Sequence, residues 1–545
     1  MRPRPLLFQA FRTLKFLKLR SQPGSTRSAR STHIRTMGSL PTGAEAGPFD
    51  VKNVAIIGAG PSGLAAAKYL LAEGAISRID IFEQQAEVGG VWNYSAQALP
   101  QNKLEVPQTS AHPKPDVPVR DPEDPAAPPL FPSPMYNDLN TNIPHTLMRF
   151  SDTPFPDGCE IFPTRQVVQD YLVRYAQDVR HLIRFSTQVT GVSLRSAPGA
   201  APASPTREQW DVQTTDLLSG AQTEAVYDAV VVASGHYATP YIPSDISGLT
   251  AFHAAHPGAI SHSKLYRSPE AFRGKKVIVV GAGPSGLDIA SQIRRVSAQP
   301  LLISAQSAAP PEMIAHIGVE QVPEIARFLP ASRGVEFRPY DDDGPRDEPR
   351  VETGVDAVLF CTGFLFAFPF VAEGTLEPPL VTDGRKVLGI ARHLLHVRHP
   401  TLAFAGLPIK AIPFPVAEAQ AAVAARLWAN RLPLPGRELL EKWEREDETE
   451  GSHVFAQLAD GRYINEMHDW ALQATGGKEQ GKKPPFWDPE LLWERSIYAE
   501  AKMQFEKTGK KAKTLEELGF RFEPAEVHTI EDAAKEDPQA DVTGL

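Results

Sequence analysis

One heptapeptide limits what this chain can fold into more than any other feature. "GAGPSGL" occurs at Gly58–Leu64 after "NVAII" and recurs letter for letter at Gly281–Leu287 after "KVIVV". Each copy follows β-branched apolar residues and precedes a helical run, "LAAAKYLLAEG" in the first and "LDIASQIRRV" in the second. In that context Gly-x-Gly-x-x-Gly predicts a strand, a tight turn and a helix that together hold a dinucleotide. The first glycine permits the turn, and the second lets backbone approach a pyrophosphate. The third allows close helix–strand packing, with the helix N-terminus facing the phosphate charge. A lone match is often an ordinary strand–helix turn. Two in the correct context predict two sites, at Gly58, Gly60, Pro61, Ser62 and Gly63 and at Gly281, Gly283, Pro284, Ser285 and Gly286.

The copies differ downstream. After the first, the strand "RIDIF" runs into Glu83, twenty positions beyond Gly63. A carboxylate there accepts hydrogen bonds from ribose hydroxyls and repels a 2′-phosphate. After the second, "PLLIS" leads into "AQSAA"; Gln306 stands twenty beyond Gly286, and no acid lies from Ile289 to Pro311. The first site suits the ribose of FAD or NAD, and the second admits the 2′-phosphate of NADPH. The arginine expected for that phosphate is missing near Ser304–Ser307, which leaves Arg294 or Arg295 as its substitute and keeps NADPH versus NADH open. Two dinucleotide sites in one chain imply hydride transfer from a nicotinamide to a flavin.

At 545 residues the chain is long enough for two α/β cores. We read 1–48 as an N-terminal extension and 49–250 with 353–545 as a discontinuous FAD-binding domain. An NADPH-binding domain at 251–352 interrupts it, so that both domains are Rossmann-like. The second FAD segment ends in a helical region and an acidic tail. Residues 95–135 and 196–208 are too rich in proline, glycine and serine for regular structure, and 340–352 reads as an acidic loop. The net charge is −9, and residues 1–44 hold nine Lys/Arg and no acid, so the body is acidic and unsuited to nucleic acid. No apolar run is long enough to span a bilayer. The two cysteines, Cys159 and Cys361, exclude a disulfide scaffold and a CxxC redox pair. The Arg- and Ser-rich leader has the composition of a mitochondrial transit peptide, or else precedes a true start at Met37. A cytoplasmic location and a mitochondrial one both stay open.

Further motifs resemble the flavin-containing monooxygenases, particularly the fungal and bacterial ones. "FEQQAEVGGVWNY" (82–94) is similar to the family's acid-to-GGxW segment that wraps the FAD, which places Gly90, Val91 and Trp92 at the cofactor. "SPMYNDLNTNIPHTLMRFSDTPFP" (133–156) resembles its Tyr-xx-Leu-x-Thr-Asn-x-Pro…Met segment, which implies that Thr141 and Asn142 contact the flavin. "VVVASGHYATPYIP" and "AVLFCTGFLFAFPF" resemble its two Ala-Thr-Gly strand ends, with Ser234 and Cys361 as departures. The linker Phe-x-Gly-xxx-His-xxx-Tyr/Phe matches at Gly258, His262 and Tyr266, with His256 in place of the aromatic. Val189 matches a position whose backbone meets adenine. The resemblance runs from about Phe49 to Gly461.

It implies an FAD- and NADPH-dependent monooxygenase that inserts one atom of O₂ into a soft nucleophile, an amine nitrogen or a thioether or thiol sulfur, through a C4a-hydroperoxyflavin. The cofactor performs the hard step, so no side-chain nucleophile or metal is expected. Asn142 is the candidate catalytic residue: its carboxamide can donate and accept without titrating. Trp92 is expected beside the flavin or in the core, His262 and Tyr266 in the linker, and Cys361 as inert packing. The partners implied are a small nucleophilic substrate and O₂; a homodimer is left open. Two alternatives stand: a Baeyer–Villiger-type ketone monooxygenase, which usually carries Trp where this chain has Tyr266, and a catalytically weak NADPH-oxidising flavoprotein.

Overall fold

The computed structural model describes residues 48–96, 104–111, 117–120, 124, 127–195, 204–339, 349–372, 374–449, 453–456, 458–476 and 480–524. The basic leader, most of the acidic tail and the centres of the two loops at 196–208 and 340–352 lie outside these residues.

The apolar run β1 (Asn53–Ile57) leads through the glycine turn into α1 (Pro61–Glu73), which has no β-branched residue and starts on a proline that fits the first helical position. Gly74, in the left-handed conformation, ends α1 with its N–H on the Leu71 carbonyl. Next come β2 (Arg78–Phe82), α2 (His145–Met148), α3 (Arg165–Tyr175) and β3 (Ile183–Arg184). An antiparallel meander, β4 (Thr187–Leu194), β5 (Trp210–Asp216) and β6 (Gln222–Tyr227), precedes β7 (Ala229–Val232).

The chain then passes through β8 (Thr239–Pro240), α4 (Leu249–Ala255) and β9 (Ile260–His262) into the second repeat: β10 (Val277–Val280), α5 (Pro284–Ile293), β11 (Leu302–Ser304), α6 (Pro311–Ile317) and β12 (Glu320–Val322). A side sheet of β13 (Ile325–Leu329), β14 (Gly334–Phe337) and β15 (Val351–Glu352) precedes β16 (Ala357–Phe360). β17 (Phe364–Leu365) pairs with β8, and β18 (Ile390–Ala391), β19 (Leu395–His396) and β20 (Leu402–Phe404) return to the first sheet. Helices α7 (Pro413–Trp428), α8 (Arg437–Thr449), α9 (Ala459–Ala471) and α10 (Pro489–Lys507) complete the described fold.

The first sheet has the order β18-β19-β20-β7-β1-β2-β3, and the second has the order β12-β11-β10-β16-β9. In each, the strand before the glycine turn is interior, and strand order reverses beside it, at β1/β7 and β10/β16. Ligands in such sheets bind beyond the carboxyl ends of the strands at this reversal. The second sheet is inserted between β7 and β18 of the first. Its last strand lies beyond the boundary expected at 352: Ala357–Phe360 pairs in parallel with Val277–Val280, so the inserted unit extends to Phe360. The reason is chemical. "AVLF" is fully buried and its central position needs a hydrogen-bonding neighbour on each side, which β10 and β9 supply.

Alanine-rich α7 is buried almost along its whole length and packs against α1 and α9, the small side chains permitting close approach. Beneath the meander, Trp210, Tyr227, Phe404 and Val230 form a core with no exposed surface. No helix among the described residues is long and apolar enough to cross a membrane.

Candidate active site

The two glycine turns share one construction. Gly58 and Gly281 have φ of 106° and 104°, the region that favours glycine. A Cβ on Gly58 would lie 2.6 Å from the Ala233 carbonyl oxygen, and one on Gly281 would lie 2.7 Å from that of Cys361. A Cβ on Gly63 or Gly286 would come within 2.0 Å of the carbonyl oxygen of the turn's first glycine. Gly60 and Gly283 are each an N-cap without a side-chain cap, which leaves first-turn amides free for an anion. Ala233 and Cys361, with exposed Ser234 following the former, occupy matching strand ends.

The surroundings differ. Gly60 faces Gly90, whose Cα is 3.5 Å from where a Cβ on Gly60 would lie. Gly89 donates its N–H to the Ala59 carbonyl (3.1 Å), and Trp92, half-buried, donates to Gly89 (3.1 Å). The Ser133 hydroxyl bonds the Val91 carbonyl. On the other side Ser62 abuts Gly406, whose N–H is held by the Gln420 carboxamide at 2.8 Å. Among the described residues the second turn has no such cover. Nothing lies within 4 Å of a Cβ built on Gly283, and Pro284 and Ser285 are exposed.

Glu83 is 4% exposed and accepts N–H groups from Ala59 (2.8 Å) and Gln85 (2.9 Å). Burial pushes its carboxyl up to about 6, against the pull of these bonds. Thr187 donates its N–H to the Glu83 carbonyl (2.9 Å), which brings β4, and with it buried Val189 beside a register shift, to the same end of β2.

At the second site the register corrects the sequence reading. Ile57 pairs with Phe82 and Val280 pairs with Ser304, so the counterpart of Glu83 is Ala305, one residue before Gln306. Matching hydrogen bonds agree: Glu83 N–H donates to Arg184 (3.0 Å) and Ala305 N–H donates to Val322 (3.2 Å). The crossover is one residue shorter in the second unit, which fixed spacing could not reveal. Arg294 and Arg295 lie at the far end of α5 from the turn. Arg294 donates to the Gly318 carbonyl (2.7 Å), ahead of the first residue of β12, so neither reaches the carboxyl edge where a 2′-phosphate would sit.

The segment 136–142 bridges the two units. The Tyr136 hydroxyl bonds half-buried Asp288 on α5. At the other end Thr141 donates its N–H to Pro163 (2.9 Å), and its hydroxyl donates to Ile143 (2.7 Å). Asn142 is exposed and hydrogen-bonds no described residue. His262 is fully buried: its Nε2–H donates to Gly363 (3.1 Å) and its Nδ1 accepts from Lys264 (3.1 Å). Burial lowers its pKa to about 3, so the ring is neutral and serves the linker. Tyr266 donates to Gln292 (3.0 Å) on α5, which ties the linker to that helix, and His256 donates to Pro330 (2.8 Å). Burial pushes the Cys361 thiol up to about 12, which keeps it protonated.

Comparison with known proteins decides what this arrangement belongs to. The flavin-binding monooxygenase-like family profile matches residues 132–313 and 346–512, and an NAD(P)-binding Rossmann-like profile matches 56–117. The chain belongs to the flavin-binding monooxygenase-like family. A thiol-specific monooxygenase of Saccharomyces cerevisiae is 31% identical over 456 residues, 81% of this chain and 90% of that protein. The flavin-containing monooxygenase iboF of Amanita muscaria is 30% identical over 447 residues, covering 71% and 81% of the two chains. The solved S-allyl-L-cysteine S-oxygenase of Allium sativum has the same fold, with a TM-score of 0.62 and 23% identity over 90% of this chain and 100% of its own.

As a flavin-binding monooxygenase-like enzyme, the chain uses FAD and NADPH. The residues present fit both. Gly60 and Gly283 each leave room beside free helix amides, and Glu83 offers an acceptor at the first site that Ala305 lacks at the second. Sequence reasoning missed two residues that hold this machinery. Gln169 on α3 donates to the Val88 carbonyl (2.8 Å), beneath Gly89. Lys502 on α10 donates to the Thr141 carbonyl (2.8 Å), with burial lowering its pKa to about 8. Both contacts join distant segments, and no local spacing announces them.

Proposed function

We propose that the enzyme transfers one oxygen atom from O₂ to a soft nucleophile, a thiol or thioether sulfur before an amine nitrogen, at the expense of NADPH. For a thioether the balance is R₂S + O₂ + NADPH + H⁺ giving R₂SO + H₂O + NADP⁺. The sulfur lone pair forms the new S–O bond, the O–O bond breaks, and the second oxygen leaves as water. FAD, when bound, supplies the activation of O₂ by electrons taken from NADPH.

The observation that carries the reading is Asn142: an exposed carboxamide with no hydrogen-bond partner among the described residues, on the segment that joins the two nucleotide-binding units. Such a group can hydrogen-bond the reacting oxygen without releasing a proton to it. Ordered first-turn amides and Glu83 hold the flavin nucleotide, and Gly90, Val91 and Trp92 close over it. Val189 meets the adenine end through its backbone. Gly283, Pro284 and Ser285 receive the NADPH pyrophosphate. The thiol-specific and S-oxygenase relatives favour sulfur over nitrogen, and Tyr266 favours a heteroatom over a ketone.

The test measures NADPH consumed, sulfoxide formed and H₂O₂ released with methyl phenyl sulfide. Wild-type enzyme should use one NADPH for each sulfoxide. Asn142→Ala should keep its FAD and its NADPH oxidation but form on the order of tenfold less sulfoxide per NADPH, the difference appearing as H₂O₂. Unchanged coupling would remove Asn142 from the reaction, and wild-type H₂O₂ without sulfoxide would contradict oxygen transfer.

A further inference from the structure

Two arginines beside the Asn142 segment have no anionic partner among the described residues. The Tyr94 ring carries the Arg165 guanidinium 3.7 Å from its centre and that of Arg267 at 5.9 Å. Among the described residues neither forms an ion pair, and the Arg165 side chain makes no hydrogen bond. The Arg267 side chain donates only through one nitrogen, to the carbonyls of Tyr266 (2.8 Å), Lys264 (3.0 Å) and Met135 (3.4 Å). Its Nε and Nη2, and the Nε of Arg165, are buried without an acceptor among the described residues. Burial pulls the Arg267 pKa down, and no carboxylate offsets it. Two like charges thus share one ring, with donors that meet no described acceptor, an arrangement that costs free energy until an anion arrives.

Their position says what that anion belongs to. Arg165 donates its backbone N–H to Leu139 (3.1 Å), and Asn137 donates its own to the Arg267 carbonyl (2.9 Å). The Tyr94 hydroxyl bonds the exposed Asn137 side chain. The two arginines therefore flank the stretch that ends in Asn142, and both lie at the ring of Tyr94, two residues after the Gly90–Trp92 turn. Arginine forks suit planar or tetrahedral oxyanions.

We infer that Arg165 and Arg267, set on Tyr94, form an oxyanion site that anchors a carboxylate or phosphate of the molecule presented to Asn142. This deepens the oxygen-transfer reading and rests on it. Two sources share that chemistry: a phosphate of the nicotinamide coenzyme, or the carboxylate of an amino-acid-like thioether.

The test compares FAD-loaded wild type with Arg165→Gln and Arg267→Gln. NADP⁺ affinity is measured by calorimetry, and KM is measured for S-methylcysteine and for uncharged methyl phenyl sulfide. Arg165→Gln removes no protein hydrogen bond, so it reads the site even if Arg267→Gln misfolds. A tenfold or greater weakening of NADP⁺ alone assigns the phosphate. The same rise in KM for S-methylcysteine alone assigns the carboxylate. Changes below twofold for both anions overturn the site, as does an equal loss for charged and uncharged sulfides. Because the NADP⁺ arm needs no turnover, absence of sulfide oxidation would sink the oxygen-transfer reading while leaving the site testable.

Discussion

The two glycine turns of this chain are near copies in backbone and opposites in surroundings. In both, the third glycine approaches the first within a distance that no side chain tolerates, and the first glycine abuts the carbonyl of the neighbouring strand. Yet the first turn is covered by the Gly89–Trp92 turn and by Gly406, while the second lies open at Gly283–Ser285. The heptapeptide therefore sets the shape of a phosphate cradle, and residues far away in sequence set how firmly a ligand is kept. A covered cradle fits a resident flavin, and an open one fits a coenzyme that must arrive and leave in each cycle. The strand ends differ in the same way: buried Glu83 stands after β2, and Ala305 stands after β11.

The comparison breaks most visibly if an aspartate enters either cradle. Gly60→Asp places a side chain against Gly90 and a charge against the pyrophosphate, so the purified protein should carry no FAD and show no flavin absorbance. The Cβ of Gly283→Asp meets no described atom within 4 Å beyond its chain neighbours. This variant should fold and keep its full flavin while NADP⁺ binds on the order of a hundredfold more weakly, as like charges brought together cost several kcal/mol. Flavin loss from Gly283→Asp, or flavin kept in Gly60→Asp, would exchange the assignments.

A smaller effect sharpens the role of Glu83. Its carboxyl sits at about 6, raised by burial from an ordinary 4.5. In flavin-free protein this favours the neutral form, contributing about 2 kcal/mol of stability present below pH 4.5 and lost as pH rises through 6. Ribose hydroxyls donate best to the ionised form, so FAD binding should release a proton. Flavin affinity should rise about tenfold from pH 5 to 7 and level off above. Flavin titrations at each pH should show this slope in the wild type and none in Glu83→Gln.

Much of this was legible because the signals are local. β-Branched runs before the glycines marked β1 and β10, and Glu83 was found by its spacing from Gly63. The same spacing failed at Gln306, because a crossover one residue shorter moves the strand end without changing the motif. Arg294 and Arg295 were near in sequence to the second turn but a helix length away from it, since α5 carries its C-terminus to the opposite edge of the sheet. The boundary at 352 missed β16 because an acidic loop resembles a domain junction whichever sheet the next strand joins. Gln169, Lys502 and the Arg165–Tyr94–Arg267 group depend on packing between distant segments, which neither composition nor periodicity encodes.

The central claim is that one position after the second strand of each unit chooses the dinucleotide. It is tested most directly by Ala305→Glu, with NADPH and NADH affinities measured side by side on FAD-loaded protein. An acid at this position should weaken NADPH binding about thirtyfold, roughly 2 kcal/mol, and leave NADH within threefold. Equal change for both coenzymes, or none for NADPH, would show that Ala305 does not face the 2′-phosphate and that the equivalence with Glu83 is wrong.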